Sequence, residues 1–440
     1  MRSRARRYAP VWAMAAAAVV VAGPAFGAAF SIFEQGTKAM GMAGAFTAQA
    51  DDPSAMFHNA AGLAFMTESD IAVGLTYIRS LEADLEGADP FPGAGYTAEQ
   101  ETLSEFPPHA YWVQPLSSGP NTRNWTFGLG VNAPFGLTTE WEDPTGFRGR
   151  FISQRAALQA VDINPTIAFQ LTPSFGIGIG GIARVSSVEL ERHVPAFNPF
   201  TQTFVDVATL ELDGSLDNEG FGWNVGLLHK ATSRFTWGLS YRSEIDIDYE
   251  GDARLTQNAT GTPFDPLVRG LLPFDTDFPV ETAIAFPDTA SLGLAYVVTP
   301  AVLVELDLNW TGWSSFEELD IVFPEAQLPS QSIPQRYDDA QHYRLGLRMG
   351  SQPGSQWRAG VVFDETPQPE EAVSPLLPDA DRWGVTLGYG HEGGVDFDVA
   401  VMYLIFDERT RARSFDDEPA SEFFGTYNQE AVLLGLTLGF

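Results

Sequence analysis

The chain has 440 residues, no cysteine, and 57 acidic against 25 basic residues, for a formal charge of −32. That balance makes nucleic acid and anionic lipid surfaces poor partners. A chain without cysteine gains nothing from disulfides, which excludes a small stapled secreted module and points to a large self-supporting scaffold.

Residues 1–27 read as a secretory signal peptide. Arg2, Arg4, Arg6 and Arg7 precede an apolar run from Val11 to Ala22, and a small-residue site follows at Ala25-Phe26-Gly27. The run falls short of the roughly 20 residues a spanning helix needs, so no transmembrane helix is expected in the mature chain. Removing those four Arg leaves 21 basic against 57 acidic residues, a mature charge of −36.

Residues 28–69 are rich in Ala and carry Gly36, Gly41, Gly44 and Gly62, with "AMFHNAAGLAF" at 55–65. They show neither strand alternation nor a clean helical stripe, yet they are too apolar for a solvated tail.

From residue 71 onward, strand-period segments recur between Gly, Pro, Asn and Ser clusters. The predicted strands are 71–80, 108–116, 124–133, 155–171, 174–190, 220–231, 234–249, 287–298, 301–313, 341–350, 356–364, 382–391, 395–407 and 430–440. Short connections ("SSGPNTRN", "TP", "TS", "TP", "SQPGS", "EGG") alternate with long ones such as 81–107, 191–219, 250–286 and 408–429. An even strand count with tight turns on one rim and elaborate loops on the other is the pattern of an up-and-down antiparallel barrel.

Within strands one face is apolar and aromatic, the other small and polar. "FTWGLSYR" sets Phe235, Trp237, Leu239 and Tyr241 against Thr236, Gly238, Ser240 and Arg242. The last strand sets Val432, Leu434, Leu436, Leu438 and Phe440 against Gly435, Thr437 and Gly439. A soluble sandwich also alternates, but glycine on the non-apolar face suits a lumen, and the strands have the length of tilted membrane strands. The expected fold is therefore all-β, a fourteen-stranded antiparallel transmembrane β-barrel over residues 70–440. Residues 28–69 would pack inside it as a plug, where small residues permit close backbone approach; the alternative is an ordinary periplasmic extension.

Several blocks of the sequence resemble the FadL/TodX family of outer-membrane transporters of long-chain fatty acids and other hydrophobic compounds. They are "AAFSIFEQGTKAMGMAGAFTAQADDPSAMFHNAAGL", "GFGWNVGLLHKATSRFTWGLSYRSEIDIDYEG", "LNWTGWSSFEEL", "WRAGVVFDETPQPEE" and "PDADRWGVTLGYG". The resemblance implies a barrel of fourteen strands with an N-terminal hatch in its lumen. Its hatch motif falls on Asn59, Ala60 and Ala61, with Ala60 where the family carries Pro. That exchange removes a fixed φ and restores a backbone N–H.

The family also implies a kink in the third strand that opens the wall sideways, and the matching stretch is "GLGVNAPFGLTTEW". Asn132, Pro134 and Gly136 mark it, since Pro cannot donate to the ladder and Gly weakens it. Pro165 is a second possible bulge. Arg suits a fatty-acid carboxylate. Parity puts Arg242, Arg344, Arg348 and Arg382 on the lumen side, Arg184 lies along strand five, and Arg192 lies just past it in "LERH", which resembles the family's basic pocket. The candidate carboxylate residues are thus Arg192 first, then Arg184, Arg382 and Arg242.

The expected partner is a long-chain fatty acid or another hydrophobic small molecule, captured at loops such as "VPAFNPF" and "GLLPFDTDFPV"; a channel for neutral hydrocarbons is the alternative. Outer-membrane lipid and lipopolysaccharide would surround a monomer. No cofactor or metal is expected, because there is no Cys and no His pair with zinc spacing. The six His fall mostly at predicted rims and loops without a triad pattern, so hydrolytic activity is not expected. A plug disfavours a general porin.

Overall fold

The computed structural model describes residues 28–116, 125–324, 328–350, 353–393, 396–415 and 423–440. The expected signal peptide, the "SSGPNTRN" turn and most of the acidic "SFDDEPASE" stretch lie outside the described residues.

The chain forms a closed antiparallel barrel of fourteen staves. They are β1 (Asp70–Gly87), β2 (Thr97–Glu99, Ser104–Glu105 and Pro108–Pro115), β3 (Trp125–Glu140), β4 (Arg155–Thr172), β5 (Phe175–Asn198), β6 (Thr203–Lys230) and β7 (Phe235–Arg242 and Ile245–Gln257). There follow β8 (Asp277–Phe286 and Thr289–Thr299), β9 (Val302–Thr311), β10 (Ala340–Gly350), β11 (Ser355–Asp364), β12 (Arg382–His391), β13 (Asp396–Phe406) and β14 (Gly425–Gly439). Closure comes from β1 against β14, in register from Ala72↔Gly439 to Gly87↔Gly425. In lipid nothing else can satisfy the two edges, so the ladder has to meet itself.

Each predicted strand falls on one stave, but several staves are longer, those of the first half above all. β5 and β6 run for 24 and 28 residues, far more than a tilted membrane crossing needs. Much of what reads as long loop, such as 191–219 and 250–286, is therefore strand rising above the membrane. Arg192 is accordingly inside β5 and not just past it. Nor does Pro165 make a bulge, since β4 keeps its register with β5 on either side, from Ile163↔Ala183 to Thr166↔Gly180.

The alternation changes sense along the staves. In the lower part of β7, Trp237 and Leu239 face outward; after the break at Ser243-Glu244, Ile245, Ile247 and Tyr249 are buried and Asp246, Asp248 and Glu250 are exposed. In β8 the same reversal falls at Pro287-Asp288, with Phe278, Val280, Ile284 and Phe286 buried above it and Tyr296 exposed below. Two neighbouring interruptions of the pleat convert a wall with its oil outside into one with its oil inside. Below them the wall is solvated by lipid, and above them it encloses an apolar interior.

Residues 28–66 occupy the lumen, almost all of them buried. They contain helical turns at Thr37–Met40, Ala55–His58 and Ala60–Phe65, short enough that outside partners must satisfy most of their backbone. Asn59 caps the last turn, accepting from the Ala61 N–H (3.1 Å), while its Nδ2 donates to the carbonyls of Thr47 (2.7 Å) and Leu227 (3.1 Å). Ala60 opens that turn at the position where Pro is equally at home, so the turn forms without it.

Glu305 and Asp307 on β9 are fully buried and cradle the middle of the segment. Asp307 accepts from the N–H groups of Phe46 and Thr47, and Glu305 from those of Ala48 and Gln49. Lumen glycines leave the space: a Cβ on Gly226 would stand 2.1 Å from Asn59 Oδ1, and one on Gly238 would stand 2.2 Å from the Thr47 carbonyl. At the short-turn rim Lys38 pairs with Asp51 (3.0 Å) and Glu392 (3.2 Å), and Arg348 with Asp51 (3.1 Å).

Candidate transport path

The wall is interrupted between β2 and β3. Their ladder climbs to Ala110↔Val131 and stops, and pairing resumes only at the bridge Gln100↔Trp141. Over the intervening stretch β2 bonds to β1 alone, through Arg79↔Ser104 and Ile78↔Glu105. On its other side β3 shifts register against β4 between Asn132↔Asp162 and Phe135↔Ala160, an extra residue at the Ala133-Pro134 step. The three residues singled out from the sequence thus sit together: Asn132, fully buried, on the last regular rung; Pro134 inside the bulge; and Gly136 just above it.

The freed edge of β3 is covered from within by the first residues of the lumen segment. The Ile32 N–H donates to the Pro134 carbonyl (2.8 Å) and the Gly136 N–H donates to the Phe30 carbonyl (2.9 Å), with Ser31 bridged to Phe135. Residues 30–35 act as a surrogate strand.

Two cavities lie beside this arm. The first has about 820 Å³ of empty space and is lined by Phe30, Leu137, Leu158, Leu190, Val280 and Phe316 among others, with no Arg or Lys among its described residues. The second, about 790 Å³, is bounded by Pro134, Phe135, Phe57 and His58 and by Arg184, Arg242, Arg344 and Arg382. Aromatic rings separate them. Phe30 packs edge-on against Trp313 (4.6 Å between centroids) and Phe316 (5.7 Å), while the Arg184 guanidinium lies over Phe135 (4.6 Å) and Phe286 (4.7 Å).

The four arginines surround two buried carboxylates. Asp162 takes a bidentate pair from Arg184 (2.7 and 3.0 Å) and a further bond from Arg242 (3.0 Å). Asp364 accepts from Arg344 (3.0 Å) and Arg382 (2.8 Å). Glu34 and Asp379 also act on Arg382, while Arg242 Nη1 is buried with no hydrogen-bond partner. His58, 3% exposed, has no partner at either ring nitrogen; burial, then the fields of Arg344 and Arg242, push its pKa down to about 3, so the imidazole is neutral.

Arg184, Arg242 and Arg382 are therefore brought to one cavity, as parity and strand placement suggested. Arg192 lines neither. His58, His109, His193 and His342 are all buried. Asp162, Asp364, Glu305 and Asp307 were missed. The signal for the last two was present in "VLVELDLNW", where lumen parity puts Glu305, Asp307 and Asn309 on one inward row.

Residues 18–440 match the family described as outer membrane protein transport protein (OMPP1/FadL/TodX). The chain belongs to the OMPP1/FadL/TodX family. As a family member it is an outer-membrane β-barrel. It is 24% identical over 444 residues to a long-chain fatty acid transport protein of Escherichia coli O6:H1, covering 94% of this chain and 96% of the relative. It is 26% identical to a 47 kDa outer membrane protein of Pasteurella multocida, covering 89% and 90%. Among solved structures, a Pseudomonas aeruginosa FadL homologue superposes with a TM-score of 0.78 at 21% identity, covering 94% of this chain and 99% of that one. The Ralstonia pickettii toluene transporter TbuX gives 0.64 at 15% identity, covering 92% and 99%. These last two likenesses concern the barrel fold, the same fold read from the strand count.

Proposed function

We propose that this FadL/TodX member carries amphipathic carboxylates, long-chain fatty acids above all, across the outer membrane. The observation that carries this reading is the pairing of cavities: an apolar chamber without cations beside a chamber lined by four arginines with a free Arg242 N–H, both against the interrupted wall. A neutral hydrocarbon would use only the first, whereas a fatty acid has a part for each. The ligand enters from the long-loop rim, lodges its tail in the apolar chamber, and leaves sideways between β2 and β3 once the arm at residues 30–35 withdraws. Residues 28–69 serve as the hatch throughout, so the short-turn rim stays closed. An apolar ligand gains nothing from a wet axial pore, while the lateral gap delivers it to lipid.

The curated relatives named as long-chain fatty acid transport proteins favour this substrate, and the solved toluene transporters keep neutral hydrocarbons as the second reading. The protein acts as a monomeric transporter in lipid and lipopolysaccharide, without enzymatic turnover. The test is uptake of labelled oleate and labelled toluene by cells lacking their own transporters. Oleate uptake dependent on this chain supports the proposal; toluene uptake alone replaces it with the hydrocarbon reading.

A further inference from the structure

The arm that covers the gap is held unevenly, and one residue spans both lips. Gln35 is 1% exposed and lies where β2 and β3 part. Its side-chain Oε1 accepts from the Ala133 N–H (3.0 Å), and its Nε2 donates to the Ala133 carbonyl (2.7 Å). That reciprocal pair is what an antiparallel neighbour would offer at this rung, supplied by an amide on a side chain. On the other lip, the Tyr111 hydroxyl of β2 donates to the Gln35 carbonyl at 2.6 Å. Tyr111 pairs with Gly130 one rung below the last rung of the β2–β3 ladder.

We infer that Gln35 is the bolt of the lateral opening, a positioning residue whose amide holds the kinked strand at Ala133 while its carbonyl holds β2. The inference rests on the lateral route proposed above.

The bulge explains why a bolt is needed. Pro134 has no N–H, so the orphaned groups of the kinked stretch include the N–H and carbonyl of Ala133, the carbonyl of Pro134 and the N–H of Gly136. The arm's backbone satisfies the last two and Gln35 satisfies the first two. Buried orphan groups in the wall are costly, which favours the closed state. A side-chain amide can be withdrawn by rotation about its own bonds, whereas a backbone strand must unzip. The interaction is therefore strong enough to seal the gap and local enough to release. The other half of the hatch is fixed differently, with four consecutive N–H groups held by Glu305 and Asp307, and it stays in place when the arm moves.

The absence of native cysteine makes the test direct. In full-length protein folded in lipid vesicles, Ser31→Cys reports the arm through its rate of modification by a membrane-partitioning maleimide. With Gln35 present, modification is slow and oleate accelerates it. Gln35→Ala raises the oleate-free rate at least tenfold, and Gln35→Glu, which keeps the acceptor for the Ala133 N–H, gives a smaller rise. The heat-modifiable gel mobility of a folded barrel is unchanged in both. An oleate-free rate in folded Gln35→Ala and Gln35→Glu equal to that of the parent overturns the bolt. A Ser31→Cys/Phe135→Cys disulfide separates this from failure of the route. If the locked protein takes up no oleate until reduced, the route stands and Gln35 is judged on the rates. If the locked protein still takes up oleate, the lateral route falls, and the bolt with it.

Discussion

Arg242 on β7 reaches Asp162 on β4 across the two intervening staves, with Nη2 at 3.0 Å from Oδ2. The contact spans the lumen wall and leaves Arg242 Nη1 unpartnered beside Phe57, over whose ring the guanidinium lies at 4.8 Å. A cation held this way is positioned by one carboxylate and open to another. Arg242→Ala is therefore expected to lower oleate uptake at least tenfold while toluene uptake stays within about twofold, since a charge-assisted bond is worth roughly 1.5–3 kcal/mol. Arg192→Ala, outside both cavities, should leave the two uptake rates alike. Equal losses of both substrates in Arg242→Ala would assign that arginine to structure.

The second prediction concerns the leak. Glu305 and Asp307 together accept four N–H groups of residues 46–49. The double variant Glu305→Ala/Asp307→Ala orphans all four, at a cost of about 1–3 kcal/mol for each that finds no substitute. Undocking the middle of the hatch should give steady ion conductance in planar bilayers where the parent gives none. A silent double variant would show that contacts elsewhere suffice to hold the hatch.

His58 predicts a pH dependence. Its folded pKa of about 3 lies below the ordinary 6.5, so between those values the unfolded chain binds a proton that the folded chain refuses. Stability is intact above about pH 6.5 and falls as pH drops, by about 1.4 kcal/mol per unit. His58→Phe fits a site already ringed by Phe33, Phe46 and Phe57. The loss of thermal stability between pH 6.5 and pH 5 should be smaller in the variant by about 2 kcal/mol. The parent and variant melting curves, followed by heat-modifiable mobility, measure it.

The reversal of the wall can be tested with charge. Leu239 lies below the break in β7 and faces lipid, whereas Asp248 lies above it and faces away from the interior. Leu239→Arg should reduce folding stability in vesicles by about 2–4 kcal/mol if it sits near mid-bilayer. Asp248→Arg should change it by less than about 1 kcal/mol. Equal costs would place both residues at the same depth.

The barrel was legible because membrane strands obey a strict local rule. Trp237 and Leu239 alternate with Gly238 and Ser240 whatever the rest of the chain does, and every connection reads as short or long in turn. The strand ends were less legible, since above the break in β7 the same alternation continues with its sense reversed. Nothing within "SEIDIDYEG" tells a lipid-facing row from a row that lines an interior. The kink was expected from the family resemblance, and Pro134 and Gly136, whose backbone chemistry is local, marked where it falls.

By itself, then, the sequence determined the number of staves, which follows from period, while the place of the kink came from the family resemblance and the stretch it matches. Only the tertiary structure decided which arginines converge. Arg184, Arg242, Arg344 and Arg382 come from four different staves, and their meeting depends on barrel closure and register. It also decided that Gln35 answers Ala133, 98 positions away. A side chain that stands in for a strand leaves no periodic trace, because its partner is a backbone group orphaned by a bulge elsewhere in the chain.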